Sequence, residues 1–240
     1  MKSEARPRAP RGLDKNALLD AAFEMLAAAG ESGFSLRKLG VKAGVDPMSL
    51  LHHFGSKEEL LRSIADRALA TVSLPPPSAD WRADLRGVAS AYRDLAHRFP
   101  RLFHLHFRFH ATGPADHVTS EVVYRAMRSA GLPDDEAAGL GLAFYAFLLG
   151  CGLAEAEGLM QPLSHEEEVE LQALDAAECP ATLALIPAFK SLDSSAAFAV
   201  AVEAFIAGIA VRAEREAAGP QIRPARRSVS RPKLVKQVSP

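Results

Sequence analysis

Apolar residues recur at intervals of three and four along most of the chain, the spacing of amphipathic helices rather than of strands. Leu18, Ala22, Met25, Leu26 and Ala29 mark a first helix, with Asp14 placed to cap it and Gly30 to end it. Ser35 is a good N-cap for a short helix over 36–43, which Gly44 and Val45 interrupt. Asp46 caps the next, over 47–53, where Pro47 takes a first position that needs no N–H. Phe54-Gly55 closes it, and Ser56 caps a fourth helix whose first turn holds Glu58 and Glu59, where the helix dipole favours acids. Leu60, Leu61, Ile64, Ala65, Ala68, Leu69 and Val72 give that helix one apolar face.

The Leu-Pro-Pro-Pro-Ser run at 74–78 cannot continue a helix and ends this first unit. A larger unit follows, with helices expected over 80–98, 100–111, 115–130, 134–158, 165–177 and 193–216, and with Pro162, Pro180 and Pro187 among the breaks. The pattern predicts an all-α protein: a basic arm at 1–12, an N-terminal three-helix helix-turn-helix domain within 13–73, a C-terminal helical domain at 79–218, and a tail at 219–240 too polar to order itself.

Charge changes the picture because it is segregated. Residues 1–70 carry 11 Lys/Arg against 9 Asp/Glu, residues 71–216 carry 11 against 20, and residues 217–240 carry 6 against none. A polyanion is therefore attracted to the two ends and repelled by the middle. The two cysteines, Cys151 and Cys179, have no ligand-like spacing, which argues against a disulfide scaffold or structural zinc. The basic N-terminus has no apolar stretch behind it, so the reading is a cytoplasmic protein without a secretory signal. Segments 137–154 and 194–211 approach the length of a membrane span, but flanking acids and the internal Glu203 make helices buried on two faces the better reading.

Two short helices can lay the second across a major groove only if they cross closely and steeply. That demands a small residue at the contact, a glycine at the turn and an apolar residue to fill the gap, and Gly40, Gly44 and Leu50 meet these demands. The stretch FSLRKLGVKAGVDPMSLLHHFGSKEELL at 34–61 resembles the DNA-binding motif of the TetR family from its second helix into its fourth. The resemblance implies a dimeric repressor on double-stranded DNA at a palindromic operator. It also marks two departures: Leu51 stands where a phosphate-contacting tyrosine is usual, and Gly40 where alanine is usual.

On the third helix, Pro47, Met48, Ser49 and His52 lie on or near the outward side, where Met and Pro suit a thymine methyl better than a hydrogen-bond code. Ser35, Arg37 and Lys57 sit at helix N-termini suited to phosphate, and His53 is placed against the backbone. A solvated His52-His53 pair is the plainer alternative, as a disordered lead is for Arg6, Arg8 and Arg11.

In the larger unit, 137–154 and 194–211 are apolar around most of their circumference and suit a two-fold homodimer interface. In FPRLFHLHFRFH at 99–110, Phe99, Phe103, Phe107 and His110 share one helical face; with His104, Tyr124, Phe144, Tyr145 and Phe147 they are expected to wall a cavity for a small organic ligand, an aromatic core being the alternative for any one of them. His106 and His110 have a metal-compatible spacing but no evident third ligand, and the reading is neither metal nor cofactor. No phosphate loop, GxSxG or HExxH occurs, so the chain reads as no enzyme; an architectural DNA binder without ligand is the rival.

Overall fold

The computed structural model describes residues 14–218 apart from 75, 110 and 111. The basic arm, the tail from 219 and His110 lie outside the described residues. Within them the secondary structure is helical: α1 (Lys15–Gly33), α2 (Leu36–Ala43), α3 (Pro47–Phe54), α4 (Lys57–Leu69), α5 (Trp81–Arg98), α6 (Pro100–Arg108), α7 (Pro114–Ser129), α8 (Asp134–Ala156), α9 (His165–Gln172), α10 (Pro180–Lys190) and α11 (Ser194–Ala217).

The expected caps are made. Asp14 accepts from the Asn16 N–H, Ser35 from Lys38, Asp46 from Met48 and Ser56 from Glu59. Gly44 adopts φ +68° as the α2 cap, a left-handed conformation that costs other L-residues about 1–2 kcal/mol. Gly30 also has φ +68°; it breaks the regular part of α1, but one further turn runs on to Gly33. Leu18, Ala22, Leu26, Phe34, Leu39, Leu50, Phe54, Leu60, Leu61 and Ile64 join α1 to α4 in one buried core.

That core continues into the larger unit, where α5, α7 and α8 pack together and α6 wedges between them and α1. A buried ion pair fixes the centre: Arg93 of α5 donates through Nε to both Glu155 oxygens of α8, at 3.0 and 2.9 Å. His97 Nε2 meets the same carboxylate at 2.7 Å, and Arg93 Nη2 reaches Ser195 Oγ on α11 at 2.8 Å. The first helices and α11 fall within a residue or two of expectation. Two differences arise further along. The helix expected over 165–177 stops at Gln172, and α10 runs through Pro187, where a break is expected. α10 buries only Ile186, so the hydrogen bond that Pro187 cannot donate is lost where little core depends on it.

Candidate functional site

Two sites can be built from these elements. The first is the outward side of α2 and α3. Gly40 faces the turn so closely that the Val45 carbonyl and the Pro47 ring occupy the space a side chain would need. Leu50 and Phe54 point inward. Met48 is 70 % exposed, and Arg37, Ser49, His52 and His53 are exposed beside it; Ser35, Pro47 and Lys57 are half-buried. Pro47 thus serves the helix contact as much as the surface. Lys57 Nζ lies 3.9 Å from Glu31 Oε1, a loose tether that leaves the ammonium free to turn outward. Of the eight positions expected to meet DNA, five are exposed and three half-buried, spread from the cap of α2 to the first residue of α4.

The second site is a cavity of about 190 Å³ between α5, α7 and α8. Tyr92 comes from α5, Asp116, Ser120 and Tyr124 from successive turns of α7, and Gly141 and Tyr145 from α8. Gly141 is required here, because a Cβ would lie 2.6 Å from the Tyr124 ring. The Tyr92 and Tyr145 rings meet edge to face at 5.4 Å between centroids. Asp116 is 4 % exposed, and one of its oxygens accepts a long hydrogen bond of 3.4 Å from the Thr112 N–H. Its other oxygen and the hydroxyls of Tyr92 and Tyr145 form no hydrogen bond of good geometry, but Tyr145 lies close enough to interact with both Asp116 and Tyr92. Burial, helped by the Asp66 charge, pushes the Asp116 carboxyl above its ordinary range, against the opposing pull of the Thr112 N–H, His117 and the Tyr145 hydroxyl, and burial likewise raises both phenols.

Of the expected cavity wall, Tyr124 and Tyr145 are in place. The other described residues are elsewhere, and this corrects the aromatic-face reading of α6. Phe107 is 63 % exposed. His104 Nε2 meets Glu31 Oε2 at 3.1 Å, Phe99 packs on Phe23 at 5.0 Å, and Phe103 fills the space beside Gly152. Phe144 and Phe147 pack against Phe205 of α11. The reason is topological: α6 packs against α1 and α8, and its buried residues are Leu102, Phe103, Leu105 and His106, which leaves Phe107 outside. Asp116 and Ser120 are not among the residues expected to wall the cavity, although with Tyr124 they repeat every fourth residue. His106 is the buried histidine of α6, 1 % exposed with neither nitrogen partnered, and burial lowers its pKa to about 4.

Between the two sites lies a polar joint. Gly113 precedes α7 and offers no capping side chain; instead Asp66 of α4 accepts from the N–H groups of Ala115 at 2.9 Å and Asp116 at 3.3 Å. Glu31 of α1 is held by His104 and Arg108, and Arg108 also pairs with Glu58 of α4 at 2.6 Å. Burial would raise the Glu31 carboxyl, but these partners outweigh it and hold it below its ordinary value.

A helix-turn-helix joined through such contacts to a helical domain with an internal cavity defines a class: one-component DNA-binding regulators. Comparison with known proteins agrees. The model for bacterial regulatory proteins of the tetR family matches residues 18–64, and that for the tetracyclin repressor-like C-terminal domain matches 74–213. The class A tetracycline repressor protein from transposon 1721 of Escherichia coli is 30 % identical over 205 residues, covering 83 % of this chain and 92 % of that protein. Apo ActR from Streptomyces coelicolor superposes with a TM-score of 0.77 at 25 % identity, covering 87 % of this chain and 100 % of that one. ActR in complex with actinorhodin superposes with a TM-score of 0.75 at 25 % identity, over 85 % and 99 %. The chain belongs to the TetR family of transcriptional regulators, which are DNA-binding proteins and not enzymes.

Proposed function

We propose that two copies of this chain repress transcription in the cytoplasm by binding a palindromic operator, and release it when a small organic molecule enters the cavity between α5, α7 and α8. The observation that carries this reading is the direct link from cavity to DNA-binding unit: Asp116 lines the cavity, and its own N–H is held by Asp66 of α4. A ligand that moves the first turn of α7 therefore moves α4, and with it the spacing of the two α3 helices. On DNA, Met48 and Pro47 contribute apolar contact, Ser49 and His52 reach base edges or sugars, and Ser35, Arg37, His53 and Lys57 hold phosphates.

The homodimer follows from α8 and α11. Both are long and apolar enough to cross a membrane by composition, yet they pack on the folded core through Phe144, Leu148, Phe198 and Val202. Their remaining faces are lined by small residues and suit a second copy better than lipid. Relatives supply precedent for the ligand: one is a tetracycline repressor, and ActR is seen with actinorhodin.

The test selects a duplex from random sequence, measures its affinity by anisotropy, and repeats the titration with each compound shown to bind the protein. Release by about 5- to 150-fold is expected, the usual range of such coupling. DNA affinity indifferent to every bound compound would remove the ligand-responsive reading. A salt-steep affinity without sequence preference would instead establish an architectural binder.

A further inference from the structure

The charge of the ligand can be read from the cavity, given the reading above that the cavity is a ligand site. Three buried polar atoms meet there without a well-formed hydrogen bond, Asp116 Oδ1 and the hydroxyls of Tyr92 and Tyr145, and Tyr145 lies close enough to interact with both of the others. Asp116 and Tyr92 are 4 % and 1 % exposed, so water outside does not serve them. A buried carboxylate without a counter-charge is costly, and it is relieved by a cation more than by any neutral group. Among the described residues no lysine or arginine lines the cavity. The charged and titratable groups facing Asp116 are Asp66 from α4, His117 beside it on α7, and the phenols of α5 and α8. Asp66 adds a second negative charge, and His117 is exposed at the rim. The field inside is negative.

The aromatic rings point the same way. The edge-to-face Tyr92 and Tyr145 rings, with Tyr124 beside them, offer π-faces next to a carboxylate, the arrangement that holds a desolvated ammonium. An anion entering this space would meet Asp116 without a compensating cation. The cavity volume of about 190 Å³ lies below the roughly 300 Å³ at which drug-sized sites begin, which limits the body to about one ring unless the walls part.

We propose that the cavity takes a small organic cation, its ammonium group seated against the Asp116 carboxylate among the rings of Tyr92, Tyr124 and Tyr145. Occupation would satisfy Asp116 Oδ1 and draw on the first turn of α7, which Asp66 joins to α4.

Three probes of nearly one shape test the charge: phenethylamine, phenethyl alcohol and phenylacetate, each titrated calorimetrically into the full-length protein near neutral pH. The amine should bind about tenfold or more tighter than the alcohol, with phenylacetate weakest. Asp116→Asn should bring amine and alcohol to similar affinities. Tyr145→Phe, which keeps the ring, should preserve the order of the three, and circular dichroism with a thermal melt checks that both variants fold. Phenylacetate binding as tightly as the amine, or an Asp116→Asn protein that keeps the amine's advantage, overturns the cation assignment while leaving a ligand site in place. Binding of none of the three also overturns it, and the DNA-release screen then decides the broader reading independently.

Discussion

At Gly40 a Cβ would lie 2.7 Å from the Val45 carbonyl oxygen, a distance that a backbone atom cannot yield without opening the angle between α2 and α3. Alanine in place of glycine gains about 1 kcal/mol of helix propensity, but overpacking costs about 1–3 kcal/mol and the obstructing atom is main chain. The crossing here is therefore too close for a side chain at position 40 unless the turn moves. Gly40→Ala should lower the thermal midpoint and weaken DNA binding together; an unchanged or raised midpoint would show that the turn relaxes freely. His106 gives a second residue-scale prediction. The unfolded histidine titrates near 6.5 and the buried one at about 4, so a falling pH protonates the unfolded chain first. Stability from keeping His106 neutral is whole above 6.5, declines between 6.5 and 4 by about 3 kcal/mol, and levels off below. Denaturant titrations of His106→Leu across that window should lack this part of the decline; an identical slope in both proteins would relieve His106 of the role. The caps at Ser35, Asp46 and Ser56 were legible in the sequence because a cap spans two or three residues. Asp116 was not, because its setting depends on tyrosines brought in by α5 and α8.

Among the elements, apolar spacing located α1 and α4 to α7, which each bury one face, while α8 and α11 stood out as long runs apolar around most of their circumference. It failed for α10, where Pro187 reads as a stop but sits in a helix with little core to disturb. It also misplaced the buried stripe of α6: Phe107 of the expected face is exposed, and the buried residues are Leu102, Phe103, Leu105 and His106. The contact of greatest consequence between elements is equally silent in sequence. Asp66 caps α7 from α4, and Gly113 leaves room for it, since a Cβ there would lie 2.6 Å from the Asp66 carboxyl carbon. Asp66→Ala removes a cap worth about 1 kcal/mol and cuts a polar link between α4 and α7. The expected result is a folded protein with near-normal operator affinity whose release by ligand is reduced several-fold, measured by anisotropy with and without a releasing compound. Full release by the variant would place the coupling in the Glu31, His104 and Arg108 contacts instead.

The whole molecule leaves a surface that one chain does not explain. On α8, Gly139, Ala143, Ala146 and Gly150 are exposed at spacings of four, three and four; on α11, Val200, Ala204, Ala207 and Val211 repeat the same pattern. Val200 is 70 % exposed and Val211 47 %. Side chains at Gly139, Gly150 and Gly208 would meet nothing within 4 Å in this chain, so the fold itself gives no reason for glycine at any of the three. Small residues in register along two neighbouring helices do have a reason if another pair of helices approaches closely, burying apolar area at roughly 25 cal/mol per Å². Gly150→Arg separates an interface from a core. Within the chain the arginine has open space, so the monomer should keep its helicity and its melting behaviour at low concentration. Between copies it places a long charged side chain where the helices must touch, and a buried unpaired charge is costly enough to dissociate the pair. Sedimentation should then find a monomer, and operator affinity should fall steeply because each copy holds one half-site alone. A Gly150→Arg protein that sediments as the parent does and still binds its operator would mean that the two copies meet through some other surface.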